Sequence, residues 1–309
     1  MAPGGYAWWY IDALSDDGRH GLVLIAFIGS VFSPYYAWAR ARQGGLADAL
    51  KHVAINVALY TPGGGPGARW AMTERGAAAL QRQPHTLAIG PSALHWDGDA
   101  LQITLDERCA PLPRRLRGRL RLQPQAQGAP TPLPLDSAGL HQWWPIAPCA
   151  RIDVDLAEPG WRWQGPAYLD SNRGGVPLAR SFASWQWARA TLVGGHSAVA
   201  YDAVEIGGTA RQIALQFDAG GGGQPMLAPP MQALPPAPVF RVPRSVRSDG
   251  GCPPRVHATL EDAPFYNRSL VAAQWLGQPV LAVHESLDLR RFSRPLVQAM
   301  LPFRMPRRG

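Results

Sequence analysis

The sequence predicts an all-β protein, built from two tandem antiparallel barrel or sandwich domains with a few short helices. Three observations carry that expectation. Glycine (33) and proline (31) are both abundant in the 309 residues, which interrupts long helices and supplies turns. Short alternating or β-branched runs recur along the chain, each closed by turn residues. A motif is also repeated: Tyr10-x-Asp12 precedes Phe27, and Tyr168-x-Asp170 precedes Trp185, with the same separation in both copies. The length suits two domains of ordinary size, and the repeat places them at 1–150 and 151–309, meeting between Pro145 and Gly160.

The elements follow in chain order. Tyr6 to Ala13 is an aromatic-rich strand that ends at the acidic turn Ser15-Asp16-Asp17-Gly18. Gly21 to Phe32 is the longest apolar run, yet it is shorter than the roughly 20 residues a membrane span needs. Gly29, Ser30 and Pro34 favour a buried pair of strands there. His52 to Tyr60 alternates and stops at Pro62. Thr73 to Gln83 is expected to be a short helix. Ala93 to Leu105 has the pattern of a hairpin about Asp97-Gly98. Arg114 to Arg121 alternates Arg with Leu, as one strand with a basic face would; both a solvated face and a membrane-contact face fit it. Arg151 to Leu156, Phe182 to Leu192, Ser197 to Ile206 and Gln212 to Phe217 continue the strand pattern. Asp218 to Pro238 is low in complexity and is expected to be a long surface loop. Leu270 to Trp275 and Val280 to Leu287 form a late hairpin across Gly277-Gln278-Pro279, with helix after Asp288.

Composition narrows the partners. Hydrophobic residues make up 46% and charged residues 17%, which excludes a disordered chain or a coiled coil. The net charge of +8 is carried almost wholly by Arg, since Lys51 is the single lysine. Such a balance fits nucleic acid or an anionic membrane surface. The arginines are spread along the chain rather than gathered in an arm, so peripheral membrane contact is expected and nucleic acid is not. Cys109, Cys149 and Cys252 show no C-x-x-C spacing, so neither a disulfide framework nor a zinc site is expected. A reducing cytoplasm is the matching compartment, and no signal peptide is read at the N-terminus. Twelve tryptophans suit a large β core or an apolar ligand tunnel.

Standard cofactor motifs fail. Gly63 to Ala68 matches GxGxxA in form, but Pro66 interrupts it and no helix signal opens there. GxxxxGK[ST], G-x-S-x-G and HExxH are absent. The chain is therefore expected to work without a cofactor or metal.

The chemistry is concentrated between His141 and Arg189. His141-x-Trp143 and Tyr168-x-Asp170 each project two side chains to one face of an extended backbone, and Trp185-x-Trp187-x-Arg189 follows. Singly, each has a bland explanation: a satisfied histidine, core tryptophans, an aspartate that opens a turn. Grouped at strand periodicity, a carboxyl, a phenol, an imidazole and several indoles make a candidate catalytic centre.

GYAWWYIDALSDDGRHG and the residues following it to Arg40, RWAMTERG, LAIGPSALHWDGD, PRRLRGRLRLQP, HQWWPIAP, YLDSNRGGVPL and HESLDLRRF…MLPFRMPRR together resemble the bacterial carotenoid 1,2-hydratases, also called hydroxyneurosporene synthases. The likeness spans nearly the whole chain. It implies two tandem lipocalin-like, or calycin-like, β domains. It also implies addition of water to the ψ-end group of acyclic carotenoids such as neurosporene and lycopene, at the inner, photosynthetic membrane. The family's H-x-W and Y-x-D pattern falls on His141, Trp143, Tyr168 and Asp170. The Gly/Pro-rich stretch near Gly220 to Pro238 departs from the family.

Alkene hydration needs a strong acid, a cation-tolerant pocket and a water. Asp170, kept protonated by burial, is the expected acid, with Tyr168 orienting it. Trp143 offers a π face to the cation, and His141 is a base for the water. Asp12 is the alternative acid. Trp185, Trp187, Glu205, His284 and Glu285 are candidate tunnel residues, although exposed polar positions on half-buried strands would also explain the last three. A non-catalytic lipocalin-like carrier and an isoprenoid cyclase are the competing functions.

Overall fold

The computed structural model describes residues 1–126, 128–218 and 221–308. Strands occupy 55% of the chain and helices 11%, in line with the all-β expectation. A curled sheet of thirteen strands, a sheet of seven and a two-stranded ribbon make up the fold.

The large sheet takes β1 (Tyr6–Leu14), β2 (Gly21–Ile28), β3 (Val53–Tyr60), β4 (Arg69–Arg75), β5 (Leu80–Gln83), β6 (Thr86–Ile89), β7 (Ser92–Trp96), β8 (Leu101–Arg108), β9 (Arg115–Ala126), β10 (Leu133–Pro134), β11 (His141–Glu158) and β12 (Trp161–Gly174). The second sheet begins with β13 (Phe182–Thr191), β14 (Ser197–Glu205), β15 (Ala210–Phe217) and β16 (Gly223–Pro225). The ribbon of β17 (Met231–Leu234) and β18 (Arg244–Arg247) intervenes, and β19 (Arg255–Asp262), β20 (Tyr266–Trp275) and β21 (Gln278–Asp288) complete the second sheet. β22 (Arg307–Arg308) returns to pair with β4.

Side-chain alternation on β1 shows how the layers are built. Tyr6, Trp8 and Tyr10 enter a core between the two sheets, while Ile11 and Ala13 enter a second core closed by Ile89, Leu94, Ile103 and Leu120. A third core lies on the far face of the second sheet, where Leu234 and Val246 of the ribbon cover Ala190, Val271 and Trp275. With both faces covered, β2 and β3 are buried at every position, so they appear in the sequence as unbroken apolar runs.

Several expectations are corrected. Gly21 to Phe32 holds one strand rather than two: the chain leaves β2 at Gly29 (φ 68), where a Cβ would lie 2.5 Å from the Gly5 carbonyl oxygen. Ser33 then caps the unanticipated helix α1 (Pro34–Arg42), its hydroxyl accepting the Tyr35 N–H. Thr73 to Gln83 is not a helix. It contains the end of β4, a 3₁₀ turn at Ala77–Ala79 and β5, because ladder bonds to β3 and β6 outweigh the helix preference of three alanines. Within Asp218 to Pro238 the chain forms β16 and β17 rather than a single loop; Ala219 and Gly220 lie outside the described residues.

The chain passes between the sheets through α2 (Leu178–Ser181), and position 150 falls inside β11. After β21 come α3 (Leu289–Phe292) and α4 (Pro295–Met300), where helix was expected. Among the described residues no helix is long and apolar enough to cross a membrane.

Candidate active site

Asp170 and Tyr168 alternate toward the inter-sheet core from β12, and Trp143 meets them from the neighbouring β11. The Tyr168 hydroxyl donates to Asp170 Oδ2 at 2.9 Å, and Trp143 Nε1–H donates to the same oxygen at 2.7 Å. All three residues are at most 3% exposed. Asp170 Oδ1 is buried without a partner, and among the described residues no cation bonds to this carboxyl. Burial pushes its pKa up to about 8, against the two donated hydrogen bonds, and the charges of Glu285 and Asp12 push the same way as burial. The carboxyl is thus protonated at neutral pH, and Oδ1 is the oxygen free to hold the proton.

The second Tyr-x-Asp lies alongside the first. β1 and β12 are antiparallel, so Tyr10 is the register partner of Asp170 and Asp12 that of Tyr168. Asp12 accepts Arg189 Nε–H at 2.7 Å from β13. Burial raises its pKa and the Arg189 guanidinium pulls it back. The Tyr10 ring meets Tyr168 at 6.3 Å and Trp187 at 5.3 Å between centroids, and its buried hydroxyl has no partner.

His141 begins β11 one alternation before Trp143, but its ring bonds Tyr6 and Ser181 rather than the Asp170 cluster. Nδ1 bonds the Tyr6 hydroxyl and Nε2 the Ser181 hydroxyl, both at 2.9 Å. Burial lowers its pKa, so the ring is neutral. Gly174 makes room for this pair: a Cβ there would lie 2.6 Å from His141 Nδ1 and from the Tyr6 ring.

A cavity of about 260 Å³ opens beside this cluster. Trp8, Phe27, Phe32 and Trp185 form its walls, and Tyr10, Tyr266, Arg268 and Glu285 its polar floor. Met300 and Phe303, both substantially exposed, stand at its mouth. Arg268 donates through Nε to Glu285 Oε1 at 2.8 Å and through Nη1 to the Tyr60 hydroxyl at 2.6 Å.

The structure therefore brings together Asp170, Tyr168 and Trp143, with Trp187 and Asp12 against them and Trp185 on the cavity wall. Two candidates lie elsewhere. Glu205 ends β14 and accepts the Ser137 backbone N–H and hydroxyl at 2.9 and 3.0 Å. His284 faces away from the cavity into the third core, where Nε2 meets the Ser245 carbonyl at 2.8 Å and burial pushes its pKa down to about 4. Arg268 and Tyr266 were missed. The alternation recognised from Leu270 extends back through Arg268 to Tyr266 on the same face, and tracing it four residues further would have found both. Among the described residues no group of three or more His, Cys, Asp or Glu is arranged to hold a metal.

The family model for carotenoid hydratase CrtC matches residues 24–309. The chain is 52% identical to an acyclic carotenoid 1,2-hydratase from Thiocapsa roseopersicina and 50% identical to one from Rubrivivax gelatinosus, in each case over all of this chain and 75% of the relative. It is 40% identical to the acyclic carotenoid 1,2-hydratase of Cereibacter sphaeroides, over 92% of this chain and 98% of the relative. Among solved structures, one assigned to AttH from Nitrosomonas europaea aligns with a TM-score of 0.61 at 15% identity, covering 92% of both chains. A kievitone hydratase from Nectria haematococca aligns with a TM-score of 0.54 at 9% identity, covering 94% of this chain and 90% of that one. These distant likenesses establish the lipocalin-like fold alone.

Proposed function

We propose, from the premise that the chain belongs to the carotenoid hydratase CrtC family, that it adds water across the C1–C2 double bond of the ψ-end group of acyclic carotenoids. Asp170 is the acid. The observation that carries this reading is a buried carboxyl with two hydrogen bonds on one oxygen, none on the other and no cation bonded to it.

The reaction follows from elementary chemistry. A proton from Asp170 adds to C2, leaving a tertiary cation at C1, and water attacks C1 to give a tertiary alcohol. No hydride or electron changes hands, so an acid and a water suffice, and we assign the chemistry to side chains alone. Tyr10, register partner of the acid, lines the cavity, while Asp170 sits on the adjacent strand outside that lining; on this adjacency we assign the cavity to the end group. Trp8, Trp185 and Tyr10 offer π faces to the cation, each worth about 2 kcal/mol when desolvated. Trp143 commits its N–H to Asp170, so holding the acid is the role we assign it. His141 steadies the adjoining wall through Tyr6 and Ser181; acting as base for the water would require it to release one of these bonds.

A cavity of this volume takes an end group rather than a whole polyene, so the remainder of the substrate stays outside the mouth. Met300 and Phe303 are 44% and 70% exposed there, and Leu296, earlier in the same helix as Met300, is 74% exposed, with Arg290, Arg294 and Arg308 exposed nearby in sequence. Apolar side chains flanked by arginine suit the surface of an anionic bilayer. We therefore assign this rim to peripheral contact with the inner membrane that holds the carotenoid.

Incubating Asp170→Asn with lycopene in ¹⁸O-labelled water tests the acid. The expected result is a labelled alcohol from the wild type and a loss of roughly a thousandfold in the variant. Near-normal labelling by a folded variant would overturn the assignment.

A further inference from the structure

We infer that Glu285 is a second catalytic carboxylate, the base that takes a proton from the attacking water. The inference rests on the hydration reading above and assigns the half of the reaction that Asp170 leaves open.

Placement is the first argument. β21 pairs Glu285 with Trp187 of β13 and Arg268 of β20. The side chain projects into the inter-sheet core, opposite to its neighbour His284, and lines the floor of the cavity. The wall also carries Glu261 and Asp262, but both oxygens of each are bonded: Glu261 accepts from Arg304 at 2.9 Å and the Tyr60 hydroxyl at 3.5 Å, and Asp262 from the backbone N–H groups of Val239 and Phe240 at 2.7 and 3.3 Å. Both of His141's ring nitrogens are taken, by the Tyr6 and Ser181 hydroxyls.

The grip on Glu285 is the second argument. Arg268 Nε and Nη2 both contact a single oxygen, Oε1, at 2.8 Å, so the other oxygen is left outside the guanidinium clamp. Arg268 is itself fixed by the Tyr60 hydroxyl at 2.6 Å. The carboxylate is thereby held in place at the floor, beside the Tyr266 hydroxyl, and we assign its second oxygen to the water. Its charge also opposes ionisation of Asp170.

The steps balance. The Asp170 O–H bond breaks as the π pair of the alkene forms the C2–H bond, and C1 becomes cationic. A lone pair of water bonds C1 while Glu285 accepts a water proton. The alcohol leaves, and one proton passing from Glu285 back to Asp170 restores the starting state.

Deuterium separates the two roles. In D₂O, protonation that is not followed by water capture reverses, and deuterium appears in recovered lycopene. The full chain carrying Glu285→Gln is expected to keep this exchange within about threefold of wild type while alcohol formation falls roughly a hundredfold; Asp170→Asn is expected to lose both. Alcohol formation by Glu285→Gln within about threefold of wild type overturns the proposal, as does equal loss of exchange and alcohol in a folded variant. Should the glutamine variant not fold, Glu285→Asp keeps the charge and withdraws it by one methylene. Alcohol falling further than exchange supports the base, and equal falls overturn it. Exchange that survives Asp170→Asn would reject the acid assignment while leaving the Glu285 ratio readable.

Discussion

Asp12 and Asp170 stand two register positions apart on adjacent antiparallel strands, and only Asp12 is bonded to an arginine. Both carboxyls are buried, at 1% and 3% exposure, so desolvation acts on each alike. The difference lies in Arg189, which reaches Asp12 from the second sheet. Asp170 receives only the neutral donors of Tyr168 and Trp143. A neutral donor stabilises a carboxylate less than a guanidinium does, which leaves Asp170 as the member of the pair that keeps its proton.

Hydration is accordingly expected to fall as pH rises through about 8, the value to which burial pushes Asp170. Tyr168→Phe removes a hydrogen bond that favours the ionised form, so the alkaline limb of kcat/KM should move upward by about one unit. A pH profile of the two proteins checks this. A limb that stays in place would mean that another group controls it.

The same carboxyl gives stability a pH dependence. From the ordinary carboxylate range up to about 8, the unfolded chain ionises at position 170 while the folded chain stays protonated. Stability contributed by the protonated form is therefore present at low pH and lost as pH rises through that window. Asp170→Asn mimics the protonated acid, so it is expected to match wild type near the bottom of the window and exceed it increasingly above, by at most ~1.4 kcal/mol per pH unit. Urea unfolding at several pH values measures the difference, and a constant difference would count against a protonated Asp170.

Much of this arrangement was legible in the sequence, for reasons particular residues make plain. Tyr168-x-Asp170 and His141-x-Trp143 lie at strand spacing, and the alternation alone places each pair on one face. What spacing within a strand cannot supply is the partner across strands. The Tyr10 and Asp170 register depends on a long-range pairing of β1 with β12, and Arg189 and Arg268 reach the core from the other sheet. His284 and Glu285 are adjacent in the chain, yet only the covering ribbon decides which of them faces the cavity. The missed helix α1 follows a buried strand without a long amphipathic pattern, and its signal was the short Ser33-Pro34 start.

Arg189→Met leaves Asp12 in the core without its cation. Breaking one side of a buried pair costs about 3–5 kcal/mol, and chemical denaturation should register a loss of that order. Adding Asp12→Asn is expected to recover part of it, because the uncompensated charge is then gone. A loss below about 1 kcal/mol for the single variant would show that the pair contributes little to stability.

The membrane rim makes the last prediction, because two surfaces compete for that role. The arginine-rich β9 exposes Arg117 and Arg119, but their register partners are Asp106 on β8 and Asp155 on β11. These carboxylates are bonded to Arg115 and Arg162, each at 2.7 Å, and β9 turns its leucines inward, so the strand offers a bilayer charge without apolar area. Met300 and Phe303 add exposed apolar area directly at the cavity mouth, with exposed Leu296 on the same helix as Met300, where a polyene leaving a bilayer would enter. Burying one such side chain contributes about 1.5–3 kcal/mol, so Phe303→Ser should weaken flotation with anionic liposomes by roughly tenfold or more. Turnover of detergent-dispersed lycopene should fall less than flotation, since Phe303 lines the cavity but makes no bond to the acid, which is held by Tyr168 and Trp143. The paired change Arg117→Gln and Arg119→Gln is expected to leave flotation within about threefold of wild type, because β9 buries its leucines and presents no apolar anchor. If instead the β9 pair abolished flotation and Phe303→Ser left it intact, the bilayer would contact the basic strand, and the substrate would need another route to the cavity.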